Sequence, residues 1–246
     1  MTTEGILFDL YGTLIDIETD EGMEEIYRGI SHFLTYHGAY LNRWEVKDHY
    51  YRILHRQRAQ SGEEHPEIIV EDIWDTFLKD QGVRPASMRF RLAITLAQLY
   101  RGISRKRLRL YPGVKETLDL LRDTYRLALV SDAQPCFARP EIRAVGLDGY
   151  FDPMVISAEY GFRKPDPRLF RAALDELGLN PGEVIFVGND MHRDIFGASR
   201  IGIKTVFFAS NQGTQAYEET NPNYVITRFE QVPEAVAALG GKPRRS

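Results

Sequence analysis

Residues 6–14 read ILFDLYGTL. Three apolar residues, Ile6, Leu7 and Phe8, run directly into a carboxylate, Asp9, and are followed by Leu10, Tyr11, Gly12 and Thr13. Consecutive apolar positions are the pattern of a strand buried on both faces, as in a parallel sheet. A carboxylate where such a strand stops is costly to desolvate unless it is paired or bound to a cation. Ligands of open α/β sheets bind at the carboxyl ends of the strands. The stretch therefore predicts a central strand with an acid at the mouth of a crevice.

Working outward, similar runs recur: YRLALVSD (125–132), DPMVISA (152–158), EVIFVGND (183–190), GIKTVFFAS (202–210) and NYVIT (223–227). Helix-like segments separate them. One is Val114–Arg122, opened by Pro112-Gly113. Another is Arg168–Leu177, with Asp166-Pro167 before it and Gly178 after it, and a third is Asp194–Ile201, stopped by Gly202. Strand–helix alternation predicts an α/β domain with a doubly wound parallel sheet. Residues 16–108 break the rhythm and contain no convincing strand. Ile26, Ile30, Phe33, Leu34 and His37 fall at helical spacing, as do Ile73, Trp74, Phe77 and Leu78, and Met88, Leu92, Leu96 and Leu99. The expected division is a sheet domain from 1–15 and 109–240, a helical bundle over 16–108, and a frayed tail at 241–246. Inserted after the first strand, the bundle is placed to cover the strand ends, although it could equally serve only to add core.

The bulk composition excludes several functions. The chain has 246 residues, 43% hydrophobic and 27% charged, with a formal charge of −4. That charge gives no general attraction to nucleic acid or anionic lipid. The single cysteine, Cys136, forms no intrachain disulfide and reads as an inert thiol. No stretch reaches the roughly 18 apolar residues of a membrane span. MTTEGILFDL has neither a basic region nor a signal-like apolar core, so a cytoplasmic location is expected. The basic run RKRLR (105–109) lacks interleaved aromatics for base stacking and reads as a solvated hinge. In HYYRILHRQR (49–58), Arg52 and Arg56 share a helical face that reads as solvated. His192, inside the acidic motif, reads equally as a residue approaching substrate or as a surface loop histidine.

Four stretches put polar groups in or near strand ends: Asp9 after ILF, Ser131-Asp132 after LALV, Lys164 in YGFRKPDP, and Asn189, Asp190 and Asp194 in VIFVGNDMHRD. Singly, Ser131 reads as a helix cap, Lys164 as a surface lysine and Asp194 as an N-cap. In this order they converge on one crevice, with Asp190 and Asp194 offering hard oxygen ligands to a cation such as Mg²⁺ that bridges to phosphate. The succession FDLYGTL, helical insert, LVSDA, RKPDP and GNDMHRDIFGA resembles the haloacid dehalogenase-like hydrolase superfamily across nearly the whole chain. The resemblance implies a Rossmann-like core with a helical cap. It also implies that Asp9 is a nucleophile forming a covalent aspartyl intermediate. Thr13 would steady the Asp9 loop and Gly12 permit its turn. Ser131 would bind a substrate oxygen, with Asp132 beside it, and Lys164 would neutralise charge. Mg²⁺ would be held by Asp9, the Tyr11 carbonyl, Asp190 and Asp194. Asn189 stands where many relatives put the first acid of the last motif, and spacing alone leaves the choice between Asn189 and Asp190 open.

Tyr11 divides the readings. Phosphatases of this family place a second aspartate there as general acid–base, and losing such a group removes about 10² to 10⁴ in rate for poor leaving groups. The form DLYGT resembles the dehalogenases, in which halide departs without a proton and without metal. Asp132, Asp190 and Asp194 near Asp9 would repel an anionic haloacid unless a cation sits among them. The sequence thus favours a Mg²⁺-dependent phosphate-monoester hydrolase. The alternatives are a metal-independent 2-haloacid dehalogenase and a catalytically weak binding protein on the same fold. The expected partner is a small anionic molecule, taken up by a monomer or homodimer. Restoring aspartate at position 11 is expected to raise turnover on alkyl phosphates.

Overall fold

The computed structural model describes residues 2–240; the tail expected to fray, 241–246, lies outside them. ILF forms β1 (Gly5–Phe8), all four residues of which are buried. Ile6 and Phe8 enter one hydrophobic cluster and Leu7 the other, so both faces are covered. The chain continues through β2 (Ile15–Thr19), α1 (Glu24–Thr35), α2 (Arg43–Gln60), α3 (Val70–Asp80), α4 (Ala86–Ser104) and β3 (Arg105–Leu110). Then come α5 (Val114–Arg122), β4 (Arg126–Ser131), α6 (Pro135–Ala144), β5 (Met154–Ile156), α7 (Pro167–Leu177) and β6 (Val184–Gly188). A wide π-helical turn at Met191–Phe196 leads into α8 (Gly197–Ser199), followed by β7 (Lys204–Phe208), β8 (Tyr224–Ile226) and α9 (Val232–Gly240).

Six strands form one parallel sheet in the order β5-β4-β1-β6-β7-β8. All six expected runs are in it, and the fold is the expected doubly wound, Rossmann-like α/β class. Phe8 of β1 is level with Leu129 of β4 and Val187 of β6. From β1 the chain builds outward through β4 and β5, then crosses back to β6. The point where strand order reverses is therefore at β1, and Asp9 stands in the crevice there.

Two expectations need correction. The sequence pattern predicts no strand in 16–108 and a solvated hinge at RKRLR. Instead β2 and β3 pair antiparallel, with Asp16 opposite Arg109 and Glu18 opposite Arg107. The charges alternate with period two, so opposite signs meet across the ribbon. Arg109 reaches Asp16 at 2.9 Å, Arg107 reaches Glu18 at 2.6 Å and Lys106 reaches Asp20 at 2.8 Å. The basic run thus faces an acidic one, while Ile15 and Ile17 on β2 and Leu108 and Leu110 on β3 alternate with those charges. The second correction concerns the helix expected to open at Asp194. The helical turn begins at Met191, because Asp190 caps it by accepting from the His192 and Arg193 amides at 3.0 and 2.8 Å.

Helices α1–α4 share a cluster of their own, centred on Trp74, Tyr50, Phe77 and Tyr100. Arg52 faces outward and pairs with Asp48 one turn away. A short strap ties this helical segment to the sheet domain: Pro66 pairs with Phe162, Glu67 N donates to Gly161 O at 3.0 Å, and Arg163 N donates to His65 O at 2.9 Å. Among the described residues no helix is long and apolar enough to cross a membrane.

Candidate active site

The end of β1 projects Asp9, and its backbone amide is fixed by Val187 O on the neighbouring strand at 3.0 Å. Lys164 lies in the loop before α7. Its ammonium sits between two carboxylates, 2.7 Å from Asp9 Oδ1 and 2.6 Å from Asp194 Oδ1, and also donates to Val130 O at 3.1 Å. All three side chains are at most 7% exposed. Burial alone would lower the lysine pKa. The Asp194, Asp9 and Asp132 charges overcome it and hold the ammonium above its usual range. Burial pushes the Asp194 carboxyl up, with Asp9 adding to the rise and Lys164 opposing it. The other oxygen of Asp194 accepts from the Asn189 and Asp190 amides, both at 3.0 Å, which locks it at the carboxyl end of β6.

Thr13 Oγ1 lies 3.1 Å from both Asp9 Oδ2 and Asn189 Oδ1, and its single proton serves one or the other. Gly12 makes this approach feasible. Its φ is +92°, and a Cβ there would lie 2.3 Å from Asn189 Nδ2. Asn189 is held from its other side by Gly213, where a Cβ would lie 2.5 Å from Asn189 O. Asn189 is therefore the residue beside the Asp9 loop. Asp190, expected as a cation ligand, is turned to other work. One oxygen caps the helical turn; the other accepts from Arg193 Nε and Nη2 at 3.1 Å and from the Thr214 amide at 3.0 Å.

Ser131 Oγ is buried without a hydrogen-bond partner among the described residues, as is Asp132 Oδ2. Asp132 Oδ1 accepts from the Lys164 amide at 2.9 Å, and burial raises the Asp132 pKa. A cavity of about 470 Å³ opens here, lined by Asp9, Tyr11, Asp132, Lys164, Asn189, Asp190 and Asp194 from the expected set. Thr13 and Ser131 are fully buried and do not line it. His192 is also off the cavity, packed against Phe196 and Tyr217. Burial and the Glu71 carboxylate push the Cys136 thiol up, in keeping with an inert sulfur.

The Tyr11 side chain does something the sequence did not suggest. Its hydroxyl donates to Glu141 Oε2 at 2.5 Å. Glu141, on α6, is 2% exposed and takes a two-pronged contact from Arg101 of α4 at 2.9 and 3.0 Å, with Arg105 at 3.1 Å. The Arg101 guanidinium lies 5.2 Å from the Tyr11 ring centroid. Burial, with Glu141 beside it, drives the phenol well above its usual range. Burial would raise Glu141, but the arginines hold it below the usual carboxylate range. Tyr11 thus links the Asp9 loop to the helical segment and is no substitute acid. The expectation for Tyr11→Asp changes accordingly. A carboxylate there would compete with Glu141 for Arg101, and the ring packing would be lost. The variant is expected to lose about 3 kcal/mol of stability and to gain no turnover on alkyl phosphates. A rise in that turnover in a normally melting variant would contradict this.

The available donors fit a hard cation. Among the described residues, Asp9, Asp132, Asp190 and Asp194 form ion pairs only with Lys164 and Arg193, leaving negative charge in excess. Among the described residues no three His, Cys, Asp or Glu side chains form a ready-made cation cage. Mg²⁺ asks for less, since it is commonly held by one or two carboxylates together with waters and substrate phosphate.

The parallel sheet thus carries a carboxylate at its switch point, bridged by a buried lysine to a second carboxylate. A profile of the haloacid dehalogenase-like hydrolases matches residues 3–202, and the chain belongs to that family. Glyceraldehyde 3-phosphate phosphatase of Pyrococcus furiosus is 33% identical over 141 residues, 56% of this chain and 58% of that one. Phosphoserine phosphatase of Thermus thermophilus is 38% identical over 104 residues, 42% of each chain. This chain thus spans about half the length of these curated relatives. A 2-haloacid dehalogenase from Pseudomonas syringae superposes with a TM-score of 0.67 over 96% of this chain and 99% of that one, at 20% identity, which is a likeness of fold.

Proposed function

We propose that the protein is a Mg²⁺-dependent hydrolase of small phosphate monoesters. The observation that carries this is the Lys164 bridge between Asp9 and Asp194 at 2.7 and 2.6 Å, at the strand ends where a ligand must bind. The two relatives described above are named as phosphatases of glyceraldehyde 3-phosphate and of phosphoserine, both small phosphate monoesters.

In this reading Asp9 attacks phosphorus, forming an aspartyl phosphate that water later cleaves. Lys164 donates to Asp9 and offsets charge on the transferring phosphoryl group. Thr13 holds the second Asp9 oxygen in place for attack. The Ser131 hydroxyl is unpartnered among the described residues but fully buried off the cavity, so no phosphoryl contact is assigned to it, and Asp132 orients the Lys164 loop by accepting from its amide. Asp9, the Tyr11 carbonyl, Asn189 and Asp194 would hold Mg²⁺, with Asn189 replacing Asp190 in the expected set. When bound, the ion would supply positive charge to offset that of the phosphoryl group. Helices α1–α4 act as the cap, closing over the cavity that Arg101 and Glu67 help to line.

Tyr11 and Asn189, neutral where acids are usual in phosphatases of this type, favour a second reading, metal-independent dehalogenation of a 2-haloacid. One experiment separates them. The protein is incubated with p-nitrophenyl phosphate with and without EDTA, and chloride release from 2-chloropropionate is followed in parallel. EDTA is expected to abolish nitrophenol release, with no chloride formed. Chloride release indifferent to EDTA would establish the second reading, and silence in both would point to a binding protein.

A further inference from the structure

With Tyr11 bound to Glu141, no acid stands two residues after the nucleophile, yet an alkyl phosphate needs a proton on its departing oxygen. We propose that Glu67, contributed by the helical segment, is the general acid that protonates the leaving alcohol and then the base that activates water. This rests on the phosphatase reading above.

Glu67 lines the same cavity as Asp9 and Lys164. The strap fixes it there. Its own amide is bonded to Gly161, Pro66 pairs with Phe162, and Arg163, the residue before Lys164, is bonded to His65. Glu67 therefore reaches the site in register with the site lysine, although it comes from the insert. Its carboxyl is positioned by three donors: Ser157 Oγ at 3.0 Å on Oε2, and Gln134 Nε2 and the Ile68 amide, both at 3.2 Å, on Oε1. Gln134 is itself clamped, donating to Ile68 O at 2.9 Å and accepting from the Val70 amide at 3.0 Å.

Ser157 suits a group that changes protonation state. Its hydroxyl accepts from the Ala133 amide at 3.0 Å and has an alternative acceptor, Ala133 O, at 3.3 Å. Facing ionised Glu67, the Ser157 proton points to the carboxylate. Facing protonated Glu67, it turns to Ala133 O and leaves a lone pair for the acid. Neither state needs the carboxyl to move. Burial raises the Glu67 pKa, with Asp132 adding and the Ser157 hydroxyl opposing, which favours a proton held in reserve. The other acids on the cavity wall are less suited. Asp190 is engaged by Arg193, Asp194 by Lys164, and Glu21 is exposed. Asp132 comes from the end of β4 and is tied to the Lys164 loop by accepting from its amide, whereas Glu67 comes from the helical segment that faces the sheet across the cavity.

The steps balance. Asp9 forms a bond to phosphorus as the bond to the leaving oxygen breaks, and that oxygen takes its proton from Glu67. Water then gives a proton to the Glu67 carboxylate as its oxygen bonds to phosphorus. The Asp9–phosphorus bond breaks, returning Asp9 as carboxylate and releasing inorganic phosphate.

The test compares full-length wild type with Glu67→Gln, which keeps the shape and the hydrogen bonds, on p-nitrophenyl phosphate and on a panel of glycerol, sugar and amino-acid phosphates. The quantity compared is kcat/KM, which reports the steps through first bond cleavage. Nitrophenolate leaves without a proton, so its kcat/KM should change by less than about threefold, while that for alkyl esters falls by about 10² to 10⁴. An equal loss on both substrate types marks a structural role and overturns the proposal. So does an unchanged alkyl rate, or a wild type that cleaves the nitrophenyl ester but no alkyl ester. A wild type silent on every phosphate ester would instead sink the phosphatase reading itself.

Discussion

Asp9→Asn is expected to melt close to wild type and to lose about 10³-fold or more of its turnover on any phosphate ester. The substitution keeps size and shape at the end of β1. Lys164 keeps Asp194 at 2.6 Å, so the buried ammonium retains a charged partner. The backbone amide at position 9 keeps its bond to Val187 O. What disappears is the carboxylate oxygen that attacks phosphorus in the proposed mechanism, because an amide is a far weaker nucleophile. Circular dichroism melting and kcat/KM on p-nitrophenyl phosphate check both halves. A folded Asp9→Asn variant retaining more than about one per cent of activity would remove Asp9 from the nucleophile role.

Lys164→Met is expected to be the most destabilising single change in the site. The ammonium separates two carboxylates that are nearly inaccessible to water. Removing it leaves like charges buried face to face, at a cost of about 3–5 kcal/mol. Activity should fall with it, since among the described residues no other lysine or arginine pairs with Asp9. The double variant Lys164→Met/Asp194→Asn should recover part of the stability, because one of the two uncompensated charges is gone. It should recover no activity. Thermal melting of the two variants beside wild type decides the matter, and a Lys164→Met protein that melts like wild type would contradict the bridge as described.

The sheet was legible because its strands are buried on both faces, and that burial writes itself as unbroken apolar runs at β1, β4, β6 and β7. The order of Asp9, Ser131, Lys164 and Asp194 was legible because each sits in or beside a strand-end motif, and their convergence follows from parallel topology. Features made by partners distant in sequence were not. Tyr11 meets Glu141 130 residues away, so the phenol's role could not be read from DLYGT. The β2–β3 ribbon hid because each strand is short and carries charges of one sign, a pattern that resembles a solvated run until the two are paired. Asp190 and Asn189 differ by one position, and only the turn made by Met191–Phe196 shows which faces the nucleophile loop. Glu67 lies in SGEEHPE, a stretch with no apolar period, and acquires its place only through the strap to Gly161–Arg163.

The most direct measurement is a rapid acid quench during steady turnover of p-nitrophenyl phosphate, followed by mass analysis of the peptides. The account predicts a phosphoryl group on the peptide carrying Asp9, sited on that carboxylate. A phosphoryl group on another residue, or active turnover with the Asp9 peptide never carrying one, would contradict it.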